Sequence, residues 1–199
     1  RGHQVIAVDQ TYDSLNFLKT LSLEEGLDNI HLVQDDVREV KFKDIADYAI
    51  VNGVLEWIPE KSEVIVEEYL GKNGSKLKNS TNNNILKNPR DMQIDFLKKV
   101  HESLKTGGQL FLAIENKFNY AYLMGRADPH VNLKFTTFLP RSISNIISRI
   151  FKKKDYRTYI YSFTELKDLL KEAGFQKIED YCCFPMYHFP SLIFPNSKE

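Results

Sequence analysis

The sequence predicts an α/β fold with a mostly parallel sheet and helices on both of its faces. Strand-like and helix-like segments alternate along the 199 residues, which is the pattern of consecutive βαβ units. The first strand is the run Val5-Ile6-Ala7-Val8, which is apolar on both faces, as in a strand buried inside a parallel sheet. The run ends in Asp9, and the carboxyl ends of parallel strands line the crevice where open α/β sheets bind ligands.

Apolar spacing and chain-breaking residues define the other elements of the first half. A helix is expected over residues 13–25, and Gly26 ends it because glycine readily adopts the left-handed conformation. Two further strands are expected at residues 30–33 and 48–51, the second broken by the turn Asn52-Gly53. Residues 54–58 then begin a short helix or turn that stops near Pro59.

A polar segment separates the two halves. Residues 71–89 are rich in Asn, Lys, Ser and Gly, which predicts a solvated, mobile loop. A helix over residues 91–104 follows, and we expect Gly107-Gly108 to close it ahead of a strand at residues 109–114.

The last elements are a capped helix and a strand. Ser162 and Glu165 stand three residues apart and form a capping box, which opens a helix over residues 163–173. Gly174 ends this helix, and a late strand, antiparallel to its neighbours, is expected over residues 177–184.

Composition excludes several classes of protein. Lys plus Arg and Asp plus Glu are 27 each, so the chain lacks the basic surplus of a nucleic-acid-binding protein. Cys182 and Cys183 are adjacent and provide no disulfide framework, which favours a reducing, cytoplasmic location. Neighbouring side chains on a strand point to opposite faces, so these cysteines and His188 do not predict a metal site.

Asp9 has two interpretations at this stage. Its carboxylate is placed to accept two hydrogen bonds from the vicinal hydroxyls of a ribose, which makes the chain a candidate for binding a nucleoside cofactor. The alternative is that the same carboxylate caps the helix that follows.

Five motifs in order resemble those of the class I S-adenosylmethionine-dependent methyltransferases. They are Val5–Asp9, the acid Asp36 after the second strand here, the segment from Asp47 to Trp57, the turn Leu104-Lys105-Thr106-Gly107-Gly108, and Ala173-Gly174-Phe175. The resemblance implies a Rossmann-like methyltransferase sheet over a single domain, residues 1–199. It implies that S-adenosylmethionine is held by Asp9 at the ribose, by Asp36 and the Val37 N–H at the adenine, and near Asn52 at the methionine part.

The glycine-rich first motif of that family is absent from residues 1–199, so we expect a fragment that lacks the first strand and helix. Such a chain would bind the cofactor poorly and would expose an apolar sheet edge. The residues expected to lose cover there are Val5, Ile6, Val8, Ile50 and Val51.

A narrower similarity, carried by residues 113–130 and 184–191, is to bacterial methyltransferases associated with surface-polysaccharide biosynthesis. It implies methyl transfer to a small or carbohydrate-like acceptor. Residues 116–160 would form an insertion on the acceptor side.

A methyl acceptor must be positioned and deprotonated, and the candidate bases are Glu115 and His130. Asn116, Tyr187 and His188 are candidate acceptor-binding residues, while Glu56 and Trp57 could contact cofactor or acceptor; each also has a purely structural interpretation.

Residues 141–154 predict an amphipathic helix with a stripe of Ile and Phe and a basic end. The favoured interpretation packs the stripe over the domain. The alternatives are a lid over the acceptor and a surface that contacts an anionic membrane.

Two other functions remain open. A nicotinamide-dependent oxidoreductase would use Asp9 for a ribose equally well. However, no tyrosine here has a lysine four residues later, as the short-chain type requires. A non-catalytic scaffold of the same fold is the other alternative.

Overall fold

A computed structural model describes residues 2–59, 88–127, 133–139, 141–152 and 159–196. His130 and most of the predicted loop at residues 71–89 lie outside these ranges. The elements are β1 (Val5–Asp9), α1 (Tyr12–Glu24), β2 (Ile30–Gln34), β3 (Ala46–Asn52), a 3-10 helix (Leu55–Trp57), α2 (Pro89–Ser103), β4 (Leu104–Ala113), α3 (Tyr120–Leu123), a second 3-10 helix (Thr136–Phe138), α4 (Arg141–Lys152), α5 (Phe163–Glu172), β5 (Tyr181–Phe184) and β6 (Leu192–Pro195). The predicted α/β alternation is confirmed.

Strand pairing is parallel early in the chain and antiparallel at its end. β1 pairs with β2 in parallel, with Asp9 opposite Gln34. β3 pairs with β4 in parallel, with Asn52 opposite Ala113. β5 pairs antiparallel with β6, a strand that the sequence pattern did not predict. Among the described residues these pairs form three two-stranded sheets rather than one continuous sheet.

The glycine pair after α2 does not close that helix, so this prediction is wrong. α2 ends at Ser103, and β4 begins at once with Leu104 opposite Ala46. The register then jumps, because Tyr48 is opposite Gln109, and residues 105–108 bulge out against Asp47 alone. A side chain on Gly108 would lie 3.0 Å from the Lys105 carbonyl oxygen and 3.1 Å from that of Ala46, so the bulge requires glycine there.

The core lies between the β3–β4 pair and helices α2 and α5. α2 packs against both β4 and α5. Leu55, Leu97 and Leu169 are fully buried in this core. Gln93 of α2 is also fully buried, and its side-chain amide donates to the Leu55 carbonyl oxygen at 2.7 Å.

The capping box of α5 is present as predicted. The Ser162 hydroxyl accepts from the Glu165 N–H at 3.3 Å, and the Glu165 carboxylate accepts from the Ser162 N–H at 2.8 Å. Gly174, with φ of +110°, follows the end of the helix.

Some of the five apolar residues expected to be exposed at a sheet edge are exposed in the structure. Ile50 is 78% exposed, and Val5 and Ile6 are also exposed. Val51 is buried, so its predicted exposure is wrong. Neighbouring strand residues face opposite sides, and Val51 belongs to the core cluster that contains α2 residues while Ile50 points away.

The preferred packing of residues 141–154 is wrong for most of the predicted stripe, of which only Ile147 is half-buried. Ile146 and Ile150 of α4 are exposed, whereas Ser144 and Ser148 are buried. The physical reason is a polar contact: the Ser144 hydroxyl donates to the Thr136 carbonyl oxygen at 2.8 Å. The short serine side chains allow close approach on that line of the helix.

Truncating the core should cost far more stability than truncating the surface. Leu97→Ala removes a fully buried side chain and should lower the free energy of unfolding by about 2–5 kcal/mol. Leu23→Ala, at a leucine of α1 that is 71% exposed, should change it by less than about 0.5 kcal/mol. Urea titrations of both variants measure the difference, and equal losses would contradict the assigned core.

Candidate functional site

Asp9, the last residue of β1, uses one of its two carboxylate oxygens for hydrogen bonds within the chain. Asp9 Oδ1 accepts from the Thr11 N–H at 2.7 Å and from the Thr11 hydroxyl at 2.6 Å. These two bonds fix the turn that leads into α1. Within the described part of the chain, Oδ2 accepts no hydrogen bond. Thr11 is the N-cap of α1 and the helix has no side-chain cap hydrogen bond, so Asp9 shapes the turn before the helix without capping it, and its Oδ2 stays available to a ligand.

Asp36 is held by its own loop. Arg38 Nε lies 2.9 Å from Asp36 Oδ1 and 3.1 Å from Oδ2, and the guanidinium also forms an ion pair with Oδ2. The Arg38 N–H adds a bond of 2.9 Å to Oδ1. Between these residues, the Val37 N–H has no acceptor among the described residues. The loop thus presents a neutralised carboxylate beside a free N–H.

The two strand ends meet the segment after β3 at a small cavity of about 40 Å³. It is lined by Gln10, Asp36, Arg38, Val54, Trp57 and Ile58. The end of β1, the loop after β2 and the 3-10 helix after β3 therefore share one edge of the fold.

Glu56 is a buried acid at the same edge. It is 2% exposed, and its Oε1 accepts from the Tyr187 hydroxyl at 3.2 Å. Its Oε2 is buried and has no hydrogen-bond partner among the described residues. Burial raises the pKa of Glu56 to about 7, and the neighbouring charge of Glu115 adds to this, while the bond from Tyr187 opposes it. Glu56 can therefore take up or release a proton near neutral pH.

Gly53 brings a distant segment to the end of β3. Its φ is +66°, and a side chain there would lie 2.9 Å from the Tyr187 hydroxyl oxygen and 3.5 Å from His188 Cε1. The rings of Tyr187 and His188 lie 4.0 Å apart. The segment after β5 thus packs directly over the turn that carries Glu56, which only a glycine at position 53 permits.

Glu115 follows β4 and lies on the same side. Its carboxylate accepts a hydrogen bond from the buried hydroxyl of Tyr122, and its charge acts on Glu56. Asn116 is used differently, since its side-chain oxygen accepts from the Phe118 N–H at 2.8 Å and so shapes a turn. Asn52 lies at the end of β3 with an exposed side chain. Of the predicted residues, Glu115, Tyr187 and His188 are brought together, and His130 lies outside the described residues.

A larger cavity of about 650 Å³ is lined by other residues than Glu56, Glu115, Tyr187 and His188. Its walls come from the starts of α2 and α5 and from the second 3-10 helix: Asn88, Arg90, Lys117, Thr136, Thr137, Phe138, Leu139, Tyr159, Ile160, Tyr161, Glu165 and Asp168. Thr137 Oγ1 is buried without a partner among the described residues. Gln93 connects the two regions, because it donates to the Leu55 carbonyl and accepts from the Tyr161 hydroxyl.

No metal site emerges from the described residues, where no three His, Cys, Asp or Glu side chains are grouped to hold an ion. Cys182 and Cys183 are both free thiols. No helix in the described ranges is long and apolar enough to cross a membrane.

Solved structures share this arrangement of elements. A proposed methyltransferase from Bacillus halodurans C-125 aligns with a TM-score of 0.52 and 20% identity over 91% of this chain. A proposed O-methyltransferase from Nostoc punctiforme PCC 73102 aligns with a TM-score of 0.51 and 12% identity over 92%. The chain has a methyltransferase-like α/β fold.

The methyltransferase-like fold is shared more widely. A Pyrococcus horikoshii OT3 protein aligns with a TM-score of 0.52 and 14% identity over 91% of this chain. The chain spans 56%, 41% and 67% of the Bacillus, Nostoc and Pyrococcus structures, respectively. The sequence matches no protein-family profile, and no curated protein matches it significantly.

Sequence reasoning gave Glu56 too little weight. The signal was present, since Glu56 is the one acid within Val54-Leu55-Glu56-Trp57-Ile58. A charged residue inside a short apolar run directly after a strand is a candidate for burial at the ligand edge. The contact with Tyr187 links residues 131 positions apart, so no local pattern could predict it.

The buried acid should make stability depend on pH. With a folded-state pKa of about 7 against an ordinary 4.5, the folded protein holds more protons between these values, so stability falls as pH rises through that window. Glu56→Gln removes the charge, so above pH 7 it should be more stable than the wild type by roughly 3 kcal/mol. Below about pH 4.5 the two proteins should be similar.

Urea unfolding from pH 4 to pH 8 measures this difference. Glu24→Gln, at an exposed acid of α1, is the matched control and should follow the wild type. A pH-independent gap between Glu56→Gln and the wild type would contradict the assigned titration.

Proposed function

We propose that the protein transfers a methyl group from S-adenosylmethionine to a small or carbohydrate-like acceptor. The observation that carries the proposal is the meeting of three chain segments at one edge of a methyltransferase-like fold. Asp9 and the loop at Asp36 lie at adjoining strand ends, and Glu56 on the third segment accepts from Tyr187, which follows β5. This edge is where α/β folds bind their ligands.

The residues present fit the cofactor. The available Oδ2 of Asp9 would accept from the ribose hydroxyls, and the Val37 N–H would donate to the adenine ring. Arg38 already donates to both oxygens of Asp36, so in this proposal the Arg38 side chain turns away before Asp36 accepts from the adenine amino group. Asn52, at the end of β3, would lie by the methionine part.

When bound, S-adenosylmethionine supplies an electrophilic methyl group on a sulfonium. The protein's part is to align the acceptor and to receive its proton. Glu56 suits the second task, because its carboxylate has an unpartnered oxygen and a pKa of about 7. Tyr187 holds the other oxygen, and His188 and Glu115 flank it. His130 remains a predicted additional base.

The cavity of about 650 Å³ is the proposed place for the acceptor. Its tyrosine, phenylalanine and threonine side chains combine apolar faces with hydroxyl groups, which suits a hydroxylated molecule. Its two cationic side chains, Arg90 and Lys117, form ion pairs with Glu172 and Glu165. The cavity therefore lacks the excess of positive charge that would favour a nucleic acid. A role in surface-polysaccharide synthesis and a cytoplasmic location are further parts of this proposal.

In this proposal the working protein also carries a glycine-rich strand and helix beyond residues 1–199. The exposed apolar side chains of Val5, Ile6 and Ile50 support it, since a further strand would cover such a surface. Cofactor-binding experiments therefore belong in the full-length protein.

A non-catalytic scaffold is the second candidate. Two observations favour it: Asp9 accepts a hydrogen bond from Thr11 in the turn before α1, and Asp36 forms an ion pair with Arg38. Both acids therefore have structural roles that need no cofactor. A full-length protein with no measurable affinity for S-adenosylmethionine would support it.

Asp9 should carry a large share of cofactor affinity. Asp9→Ala should weaken S-adenosylmethionine binding at least roughly tenfold, because a hydrogen bond to a charged group contributes about 1.5–3 kcal/mol. Asp9→Asn keeps an oxygen for Thr11 and separates loss of the turn from loss of charge. Asp13→Asn, on α1, is the control. Calorimetry giving equal affinities for wild type and Asp9→Ala would refute the assignment.

Glu56 and Tyr187 should affect turnover rather than cofactor affinity. Glu56→Gln should lower kcat roughly 100-fold or more, since general-base catalysis contributes about 10²–10⁴-fold. It should also abolish an inflection near pH 7 in the kcat/KM profile. Tyr187→Phe should move that inflection upward, because the lost hydrogen bond stabilises the carboxylate.

The same assays test His130. His130→Ala should lower turnover or raise the acceptor KM without changing S-adenosylmethionine affinity. Full activity of Glu56→Gln, Tyr187→Phe and His130→Ala would place the acceptor chemistry elsewhere.

A further inference from the structure

Helix α4 exposes most of its apolar side chains, while Ile147 is half-buried. Large apolar side chains are exposed along it: Ile143 (44%), Ile146 (57%), Ile150 (67%) and Phe151 (70%). Its buried positions are the serines Ser144 and Ser148, each 1% exposed. This is the reverse of a surface helix that packs its apolar stripe on a core.

The geometry of the helix explains how both faces arise. Ile143, Ile146 and Ile150 are spaced i, i+3 and i+7, so they share one face. Ser144 and Ser148 are spaced i, i+4 on a different line, and the Ser144 hydroxyl donates to the Thr136 carbonyl oxygen. The polar line attaches the helix to the second 3-10 helix and leaves the isoleucine face without a partner in the described structure.

The positive charge of this segment restricts which partners the isoleucine face can bind. The sequence of residues 141–154 includes the five basic residues Arg141, Arg149, Lys152, Lys153 and Lys154 and no acid, although the whole chain is neutral; the last two lysines lie outside the described residues. An occupant should therefore be anionic. A second copy of the chain would bring the same positive charges to the contact, which opposes pairing through this face.

We propose that α4 binds the surface of an anionic membrane, with its isoleucine face at the boundary of head groups and acyl chains. An apolar face combined with Lys and Arg is the pattern of helices that lie in a membrane interface. The 12 residues of α4 extend about 18 Å, which is too short to cross a bilayer and sufficient to lie along its surface. Basic residues near the surface add attraction to anionic lipid. The proposal is independent of methyl transfer.

Vesicle sedimentation of the full-length protein tests the proposal. Wild-type protein should sediment with vesicles of phosphatidylcholine and phosphatidylglycerol and much less with phosphatidylcholine alone, and added salt should weaken binding. Ile146→Gln and Ile150→Gln should each lower partitioning roughly tenfold, because each removes an apolar side chain from the contact. Lys152→Gln should lower it on anionic vesicles.

Two matched variants separate this surface from general stickiness. Phe17→Gln replaces a residue of α1 that is 70% exposed, and Ser142→Gln changes an exposed polar residue of α4. Both should bind vesicles as the wild type does. The proposal is overturned if wild-type protein ignores anionic vesicles or if Phe17→Gln loses as much binding as Ile146→Gln. It is also overturned if light scattering shows a dimer that Ile146→Gln dissociates while vesicle binding is absent, which would assign the face to a second copy.

Discussion

The buried side chain of Gln93 connects the parts of the fold on which the candidate site depends. It lies on α2, is fully buried, and donates to the Leu55 carbonyl at 2.7 Å and to the Tyr159 carbonyl at 3.3 Å. It also accepts from the Tyr161 hydroxyl. A buried amide is costly without partners, so these bonds fix the turn after β3 against the segment before α5. Glu56 is the next residue after Leu55, and its position follows from this arrangement.

Burial of Glu56 lowers the stability of the folded protein and at the same time raises the pKa of the carboxyl toward neutral pH. A carboxyl with one unpartnered buried oxygen is destabilising when charged, and its raised pKa expresses that cost. The fold retains the acid, and it uses Gly53 to let Tyr187 reach one oxygen. Titratable groups perturbed in this way concentrate at functional sites, because catalysis needs a proton acceptor poised near the working pH.

Local patterns predicted those elements whose causes are local. The β1 run, the glycine after α1 and the capping box at Ser162 each act within a few residues, and the structure has them at the expected places. The Gly107-Gly108 pair suits the end of a helix and a bulge equally well, and the carbonyl oxygens of Lys105 and Ala46 packed against Gly108 distinguish the two. The approach of Tyr187 and His188 to Gly53 depends on contacts across the whole chain. The sequence therefore identified Tyr187, His188 and Glu56 as separate candidates and did not predict their contact.

Helix α4 shows a further limit of periodicity. A stripe of Ile143, Ile146 and Ile150 establishes that the helix has an apolar face, and it does not establish what that face contacts. The helix is oriented by the Ser144–Thr136 hydrogen bond, whose donor has no special hydropathy and whose acceptor is a backbone carbonyl. Because the serine side of the helix is the buried side, the exposed isoleucine side chains are left for another surface. The basic residues of the segment favour an anionic surface as the partner of the apolar side. The sequence shows these basic residues, but their role in binding follows only once the buried side of the helix is known.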